Sequence, residues 1–296
     1  MMPPPPVICI GSALWDIIAS ACAPMVQGAD IAGQIRRQLG GVALNVALAL
    51  ARQGQQAILL SAIGNGPEGD ALIEALEGEG VDCRFIYRSH DPTDSYLAIE
   101  NPNGDEFGAI ADCASLERAG DQIFTPLLDG RLGTASAPWP YRVVVDGNLP
   151  TALMQTLSTR AEFSDCQLNI VPASPGKANR LRAALAGGEV TLYVNLGEAE
   201  ILCETTLPDA EIAAHALRKL GAARAIVTDG PRMACASDDE TTVTLTPPPT
   251  PAHSTTGAGD VFMAAHIAAG GEAATPHTRL QAAIDAAARH ITRKLT

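Results

Sequence analysis

Aromatic side chains are scarce in this chain, only 4% of its residues. Its abundant alanine and glycine suit close packing of helices on a sheet rather than a stacking platform for rings. Positive charge is also in short supply, with 20 Lys and Arg against 33 Asp and Glu for a net charge of -13. A polyanion meets overall repulsion, so no nucleic-acid partner is expected. Small phosphates remain possible, because helix ends and a few placed cations bind them locally. The seven cysteines (Cys9, Cys22, Cys83, Cys113, Cys166, Cys203, Cys235) form no C-x-x-C pair. Their odd number and wide scatter fit free thiols in a reducing cytosol. The six histidines show no H-E-x-x-H or related spacing, so no protein-built metal cage is expected. Long hydrophobic runs are missing as well. Val7 to Ala23 is apolar enough to test as a leader, but four prolines and no Lys or Arg precede it and Asp16 interrupts it. A signal peptide and a membrane helix are therefore not expected, and a cytoplasmic location is. No internal repeat is present.

What is there is enough for a large core: 296 residues, 47% of them apolar, read as a single α/β domain. Val7-Ile8-Cys9-Ile10 followed by Gly11-Ser12 has the form of a central parallel strand ending at a loop. Gly41 to Gly54 reads as a helix ending in glycine, Ala57 to Gly64 as the next strand, and Pro67 to Glu79 as a second helix with acidic first turns. The rhythm changes at Ser95 to Ile110, where two alternating runs flank Asn101-Pro102-Asn103-Gly104-Asp105. This predicts a hairpin, which with residues near 17–38 makes a small projecting sheet, a lid with segments at about 17–38 and 84–112. Alternation resumes with strands near 142–147, 167–172, 190–196 and 224–229. Two short strand-like runs at 233–246 follow, then a rigid triple proline, Pro247 to Pro249. The expected fold is a doubly wound, mostly parallel sheet with a small β lid.

His253-Ser254-Thr255-Thr256-Gly257-Ala258-Gly259-Asp260, opening an apolar helix, is the most informative segment. Its glycines let successive N–H groups converge at a helix start, where the dipole favours an anion. Asp260 would repel a phosphate, so it fits instead as a general base for a hydroxyl attacking a phosphoryl group. A helix cap and a plain turn explain the same residues. Ligands of such sheets gather at the carboxyl ends of the strands. There Asp16, Gly40-Gly41 with Asn45, and Asn148 are suited to vicinal hydroxyls, with caps and turns as the alternative. Asn195 and Glu198 open another helix and could reach a phosphate oxygen and the water around a bound Mg²⁺, or complement the helix dipole. Thr228-Asp229-Gly230 could border a nucleotide or form a β-turn. A dehydrogenase is the competing class, since Gly64-Asn65-Gly66-Pro67-Glu68-Gly69 matches G-x-G-x-x-G with Asp82 downstream. Against it, the motif follows the second strand rather than the first, and Pro67 removes an N–H from the turn. Gly176-Lys177 lacks the rest of a P-loop.

The GGxxxN element at Gly40 to Asn45, the NxxE element at Asn195 to Glu198 and the TTGAGD element at Thr255 to Asp260 together resemble the ribokinase-like, pfkB family of sugar and nucleoside kinases, across nearly the whole chain. The resemblance implies transfer of a phosphoryl group from ATP, with Mg²⁺, to a hydroxymethyl group of a sugar or nucleoside. It implies Asp260 as the base and Gly257, Ala258 and Gly259 as the anion hole. Ser12, Asp16, Gly40, Gly41, Asn45 and Asn148 would hold the acceptor, and Asn195, Glu198, Thr228, Gly230 and Thr256 the nucleotide, with Glu198 reaching Mg²⁺ only through water. GSALWD, TDSYLAIENPNGDEFGAIADC and VVVDGNLP look most like the pseudouridine kinases within the family. Ribokinase-, fructokinase- and adenosine kinase-like acceptors, and a noncatalytic nucleoside binder, are the alternatives. Ser254 stands where the family often has Asp or Asn, which leaves activation by a monovalent cation open. Met233 stands near a customary glycine and bears on the fit of the nucleotide. A homodimer through the lid edge is a further expectation.

Overall fold

The computed structural model describes residues 4–187, 189–251, 255–271 and 274–292. Strand β1 (Val7–Ile10) is apolar on both faces, as a strand covered by helices on either side must be. Val7 and Cys9 enter one core while Ile8 and Ile10 enter the other. The chain then forms the antiparallel pair β2 (Leu14–Ala21) and β3 (Gly33–Gly40) and returns through the largely buried helix α1 (Val42–Ala51) to β4 (Ala57–Leu60). The single strand expected over Ala57 to Gly64 divides at Ser61, whose Oγ donates to the Gly11 carbonyl at 2.6 Å. β5 (Ala62–Gly64) leaves the main sheet, precedes α2 (Pro67–Gly78) and pairs only with β6 (Tyr87–Ser89). The hairpin forms where expected, as β7 (Ser95–Glu100) and β8 (Glu106–Asp112), and gives a four-stranded sheet of order β3-β2-β7-β8. That small sheet starts at Leu14, earlier than residue 17, and residues 84–94 lie outside it.

Past the short α3 (Ser115–Ala119), strands and helices alternate as β9 (Arg142–Asp146), α4 (Thr151–Thr156), β10 (Gln167–Val171), β11 (Val190–Asn195), α5 (Leu196–Cys203), α6 (Ala210–Lys219) and β12 (Arg224–Asp229). The hairpin β13 (Met233–Ser237) and β14 (Thr242–Leu245) precedes α7 (Ala258–Ala268) and α8 (Pro276–Ile291). Helix starts are set by local chemistry. Asp209 caps α6 by accepting from the Ile212 N–H at 2.8 Å, and Thr275 caps α8 ahead of Pro276, whose missing N–H costs nothing in a first turn. The main sheet has the order β14-β13-β12-β11-β10-β9-β1-β4, parallel from β4 to β12 and antiparallel only in its last two strands. Its two faces carry separate cores, α1, α7 and α8 over one and α4 to α6 over the other. This is the doubly wound, mostly parallel α/β architecture expected. The chain runs outward from β1 to β4 and then back past β1 to β9, so the topological switch point, where such sheets open a crevice, lies between β1 and β9.

Candidate active site at the switch point

The crevice is organised by a residue that sequence reasoning passed over. Asp146, the last residue of β9, is fully buried. Its Oδ2 accepts from the Ser12 N–H at 2.8 Å, the Ser12 hydroxyl at 2.6 Å and the Ala43 N–H at 3.1 Å, while its Oδ1 accepts from the Asn148 N–H at 2.9 Å. One carboxylate thus ties together the ends of β1 and β9 and the first turn of α1. Glycine is required beside it: at Gly11, φ +150°, a Cβ would stand 2.3 Å from the Asp146 carboxyl carbon. The signal was an Asp closing the apolar run Val143-Val144-Val145, but of its partners only Asn148 is near, and Ser12 and Ala43 lie far away in sequence.

On this frame Asn148 donates through Nδ2 to the Ser12 hydroxyl at 2.8 Å and accepts through Oδ1 from the Lys177 ammonium at 2.7 Å. Lys177, dismissed above as an incomplete P-loop, therefore brings a cation to the crevice. Gly41, φ +103°, forms the N-cap of α1, and a Cβ there would press on the Ser12 carbonyl at 2.5 Å. Gly40 lies against Asp16, whose carboxyl carbon would be 2.3 Å from an added Cβ. Burial pushes the Asp16 carboxyl up to about 6, against the opposing hydrogen bond of its cross-strand neighbour Gln38. Asp16 thus extends from the small sheet toward the same crevice.

The decisive contact joins the two ends of the sequence. Asn45, on the first turn of α1, donates through Nδ2 to Asp260 Oδ2 at 3.0 Å. Asp260 lies in the first turn of α7, after Gly257 in the left-handed conformation at φ +73°. Burial pushes the Asp260 carboxyl up to about 7; the Asn45 bond opposes that, and the charges of Asp146 and Glu198 add to it. A carboxylate poised near neutrality at a helix start is suited to take a proton. Behind the turn, His290 Nε2 lies 2.8 Å from the Thr256 carbonyl and fixes the approach to Gly257. Ser254 and His253 lie outside the described residues.

The nucleotide candidates are placed less tightly. Asn195 and Glu198 form a reciprocal capping box on α5, the Glu198 N–H donating to Asn195 Oδ1 and the Asn195 N–H to Glu198 Oε2, both at 2.9 Å. The plainer explanation of that spacing is therefore realised, although Glu198 remains buried, its carboxyl raised by desolvation, within electrostatic reach of Asp260. Thr228 is the penultimate residue of β12, Asp229 ends the strand, held by Arg232 at 2.5 and 2.6 Å, and Gly230 turns at φ +51°. Among the described residues neither Thr228 nor Gly230 bonds to the Asp146 or Asp260 network. Among the described residues no three ligating side chains converge on a point that could hold a metal ion, and no helix is long and apolar enough to cross a membrane. The Gly64 to Gly69 motif is a packing device. A Cβ at Gly69 would stand 2.0 Å from the Gly64 carbonyl, and Asp82 is engaged by Arg84, so the dehydrogenase alternative is set aside.

The pfkB family of carbohydrate kinases matches residues 5–296. The uncharacterized sugar kinase YeiI of Escherichia coli is 31% identical over 87% of the chain and 70% of its own length. The ATP-dependent 6-phosphofructokinase isozyme 2 of the same organism is 30% identical over 76% and 72%. The pseudouridine-metabolizing bifunctional protein of Schizosaccharomyces pombe is 27% identical over 67% of this chain but 26% of that protein. Among solved structures, a carbohydrate kinase from Agrobacterium tumefaciens superposes with TM-score 0.82 at 25% identity, covering 98% of this chain and 91% of that one. An Arabidopsis thaliana ribokinase complexed with ribose and ATP gives 0.80 at 20%, covering 98% and 93%.

Proposed function

From the premise that the chain belongs to the pfkB family of carbohydrate kinases, and is accordingly a phosphotransferase acting on a hydroxyl group, we propose that it phosphorylates a hydroxymethyl group of a sugar or nucleoside at the switch-point crevice. The observation that carries this reading is the Asn45–Asp260 hydrogen bond at 3.0 Å, which holds a carboxylate that titrates near neutrality at the helix start formed by Gly257, Ala258 and Gly259, where the Ala258 N–H closes a turn onto the Thr255 carbonyl at 3.2 Å.

The acceptor lies among Ser12, Asp16, Gly40, Gly41, Asn45 and Asn148, with Asp16 and Asn148 taking its neighbouring hydroxyls. Asp260 accepts the proton of the attacking hydroxyl. The acceptor oxygen then bonds to the γ-phosphorus of ATP as the bond to the β,γ-bridging oxygen breaks, and ADP leaves. The developing charge falls on the N–H groups that open α7, fixed in place before reaction. Asn195, Thr228, Gly230 and Thr256 border the nucleotide. The chemistry of the crevice fits a magnesium ion carried with the nucleotide, because Asp146, Asp260 and Glu198 form no ion pair among the described residues. Glu198 would hold that ion through water, and the ion would neutralise the phosphates. The small sheet acts as a lid that excludes water. Its outer face exposes Ile35 and Ile110 at 77% and 67%, a surface that a second copy of the chain would cover in a dimer.

A ribokinase-, fructokinase- or adenosine kinase-like acceptor is favoured by the breadth of the likeness to sugar kinases. Pseudouridine is the second reading, supported by the S. pombe relative. ATP consumption with Mg²⁺, measured against ribose, fructose, adenosine, uridine and pseudouridine, distinguishes them. Turnover of one member names the acceptor class, whereas ATP binding without turnover of any of them points to an acceptor outside the panel or to a noncatalytic binder.

A further inference from the structure

The opposite edge of the main sheet, where its parallel strands begin, contains a second cavity of about 320 Å³ that the phosphotransfer reaction does not use. Its lining includes Arg142 at the start of β9, Arg224 at the start of β12 and Arg279 on α8, with Asn169, Thr191 and His266. Most other arginines among the described residues are paired with carboxylate, as Arg88 is with Asp70 and Arg160 with Glu162, Arg289 being an exception. Among the described residues Arg142, Arg224 and Arg279 have no such partner. Among the described lining residues Asp238 is the one carboxylate, and its Oδ1 already accepts from the Glu240 and Thr241 N–H groups at 3.0 and 2.8 Å. In a chain of net charge -13, three guanidiniums against that one carboxylate are a local excess of cation among the described residues.

Part of this arrangement has a structural explanation. Arg142 bonds the closing carbonyls of α7, Ile267 at 3.2 Å and Gly270 at 2.8 Å, and also Gln167 Oε1 at 3.2 Å. The other two are not spent in this way. Arg279 makes only 3.4 Å approaches to the His266 carbonyl and Nδ1, and Arg224 is exposed with no hydrogen bond from its guanidinium among the described residues. His266 records their field. Burial, then Arg279 and Arg142, lower its pKa to about 3. The lowered pKa keeps the His266 ring neutral, with Nδ1 2.9 Å from the Tyr193 hydroxyl. Among the described residues the pocket therefore presents planar donor forks and no buried carboxylate.

We propose that this cavity is an anion site, distinct from the catalytic crevice, that takes a tetrahedral phosphate dianion, free or as the phosphate of a small monoester. Arg224 and Arg279 bind its oxygens through charge-assisted hydrogen bonds, and Arg142 supplies fixed positive charge from behind. The volume exceeds what a bare phosphate fills and leaves room for the organic part of a small monoester.

The test is isothermal titration of the full chain with inorganic phosphate and, separately, glycerol 3-phosphate. The catalytic crevice is first occupied by Mg²⁺ and a nonhydrolysable ATP analogue. Saturable binding of one equivalent is expected, weakened roughly tenfold or more in Arg224→Gln, which loses one charge-assisted contact, and again in Arg224→Gln/Arg279→Gln. Arg224 is exposed, so that single variant should melt with the wild type and keep the experiment interpretable. Tighter binding of the ester assigns a phosphorylated metabolite, and equal binding assigns free phosphate. No saturable binding of either probe, or binding undiminished in a folded Arg224→Gln, overturns the proposal.

Discussion

Replacing Asp146 with Asn should cost the fold more than its nearly identical shape suggests. The wild-type Oδ2 serves three donors at 2.6 to 3.1 Å and a fourth, Asn148 Nδ2, at 3.4 Å, while Oδ1 accepts from the Asn148 N–H at 2.9 Å, in a fully buried setting. An amide has only one acceptor oxygen. If that oxygen takes the place of Oδ2, the NH₂ group faces the Asn148 N–H, donor against donor; if it is flipped, the donors on the Oδ2 side meet an NH₂ instead. The first arrangement loses one bond outright and the ionic contribution to the others. At about 1.5–3 kcal/mol for a hydrogen bond to a charged group, the expected destabilisation is about 2–4 kcal/mol. Equilibrium urea unfolding of the unliganded variant measures it through the midpoint at unchanged slope. Acceptor KM should rise as well, because Ser12 and Asn148 lose their common anchor. A midpoint within about 0.5 kcal/mol of wild type would show that Asp146 does not organise the switch point as argued.

Gly40→Ala should raise acceptor KM with little loss of nucleotide affinity, since its Cβ collides with the Asp16 carboxyl carbon at 2.3 Å; steady-state kinetics with each substrate varied checks this. Asn45→Ala removes the bond that lowers the Asp260 pKa, so the acid limb of the kcat profile should move to higher pH. Asp260 titrates near 7 in the fold against 3.8 when unperturbed. The native state therefore holds the extra proton between those values, and the stability contributed by this group declines as pH rises from about 4 to 7. Asp260→Asn, a neutral isostere, should accordingly be more stable than wild type at neutral pH. The displacement sets a ceiling of about 4 kcal/mol, reduced to roughly 1–2 by screening in a water-accessible crevice, and thermal unfolding at pH 4 and pH 7 should show the gap opening with pH. Ile35→Glu should lower the molar mass measured by light scattering if the outer face of the small sheet joins two copies.

Much of this was legible because period and composition determine it locally. β1 and β9 read as buried strands from unbroken apolar runs, the β7–β8 hairpin from its turn residues, and the start of α7 from two glycines before an apolar stretch. The misses have a common physical origin. The break at Ser61 depends on a bond to Gly11, fifty residues away in sequence. Asp146 is anchored by donors from two distant segments, Ser12 and Ala43, besides its neighbour Asn148, and a strand-ending Asp in sequence is ordinary turn chemistry. Lys177 reaches Asn148 through the packing of one αβ unit on another, and the arginine pocket is assembled from strand starts that no local motif links. In the reverse direction, the Asn195–Glu198 spacing was visible but ambiguous, since a capping box and a phosphate-side pair demand the same two residues.

The proposed transfer requires Asp260 to accept the proton of the attacking hydroxyl. Single-turnover transfer of the γ-phosphoryl group of ATP, with a turned-over acceptor and Mg²⁺ across roughly pH 5 to 9, tests that directly in wild type and Asp260→Asn. The rate in wild type should fall about tenfold per pH unit below an apparent pKa near 7, and in Asp260→Asn it should drop by roughly 10²–10⁴ with nucleotide binding retained. A variant rate within a few-fold of wild type, or a wild-type rate flat through neutrality, would contradict it.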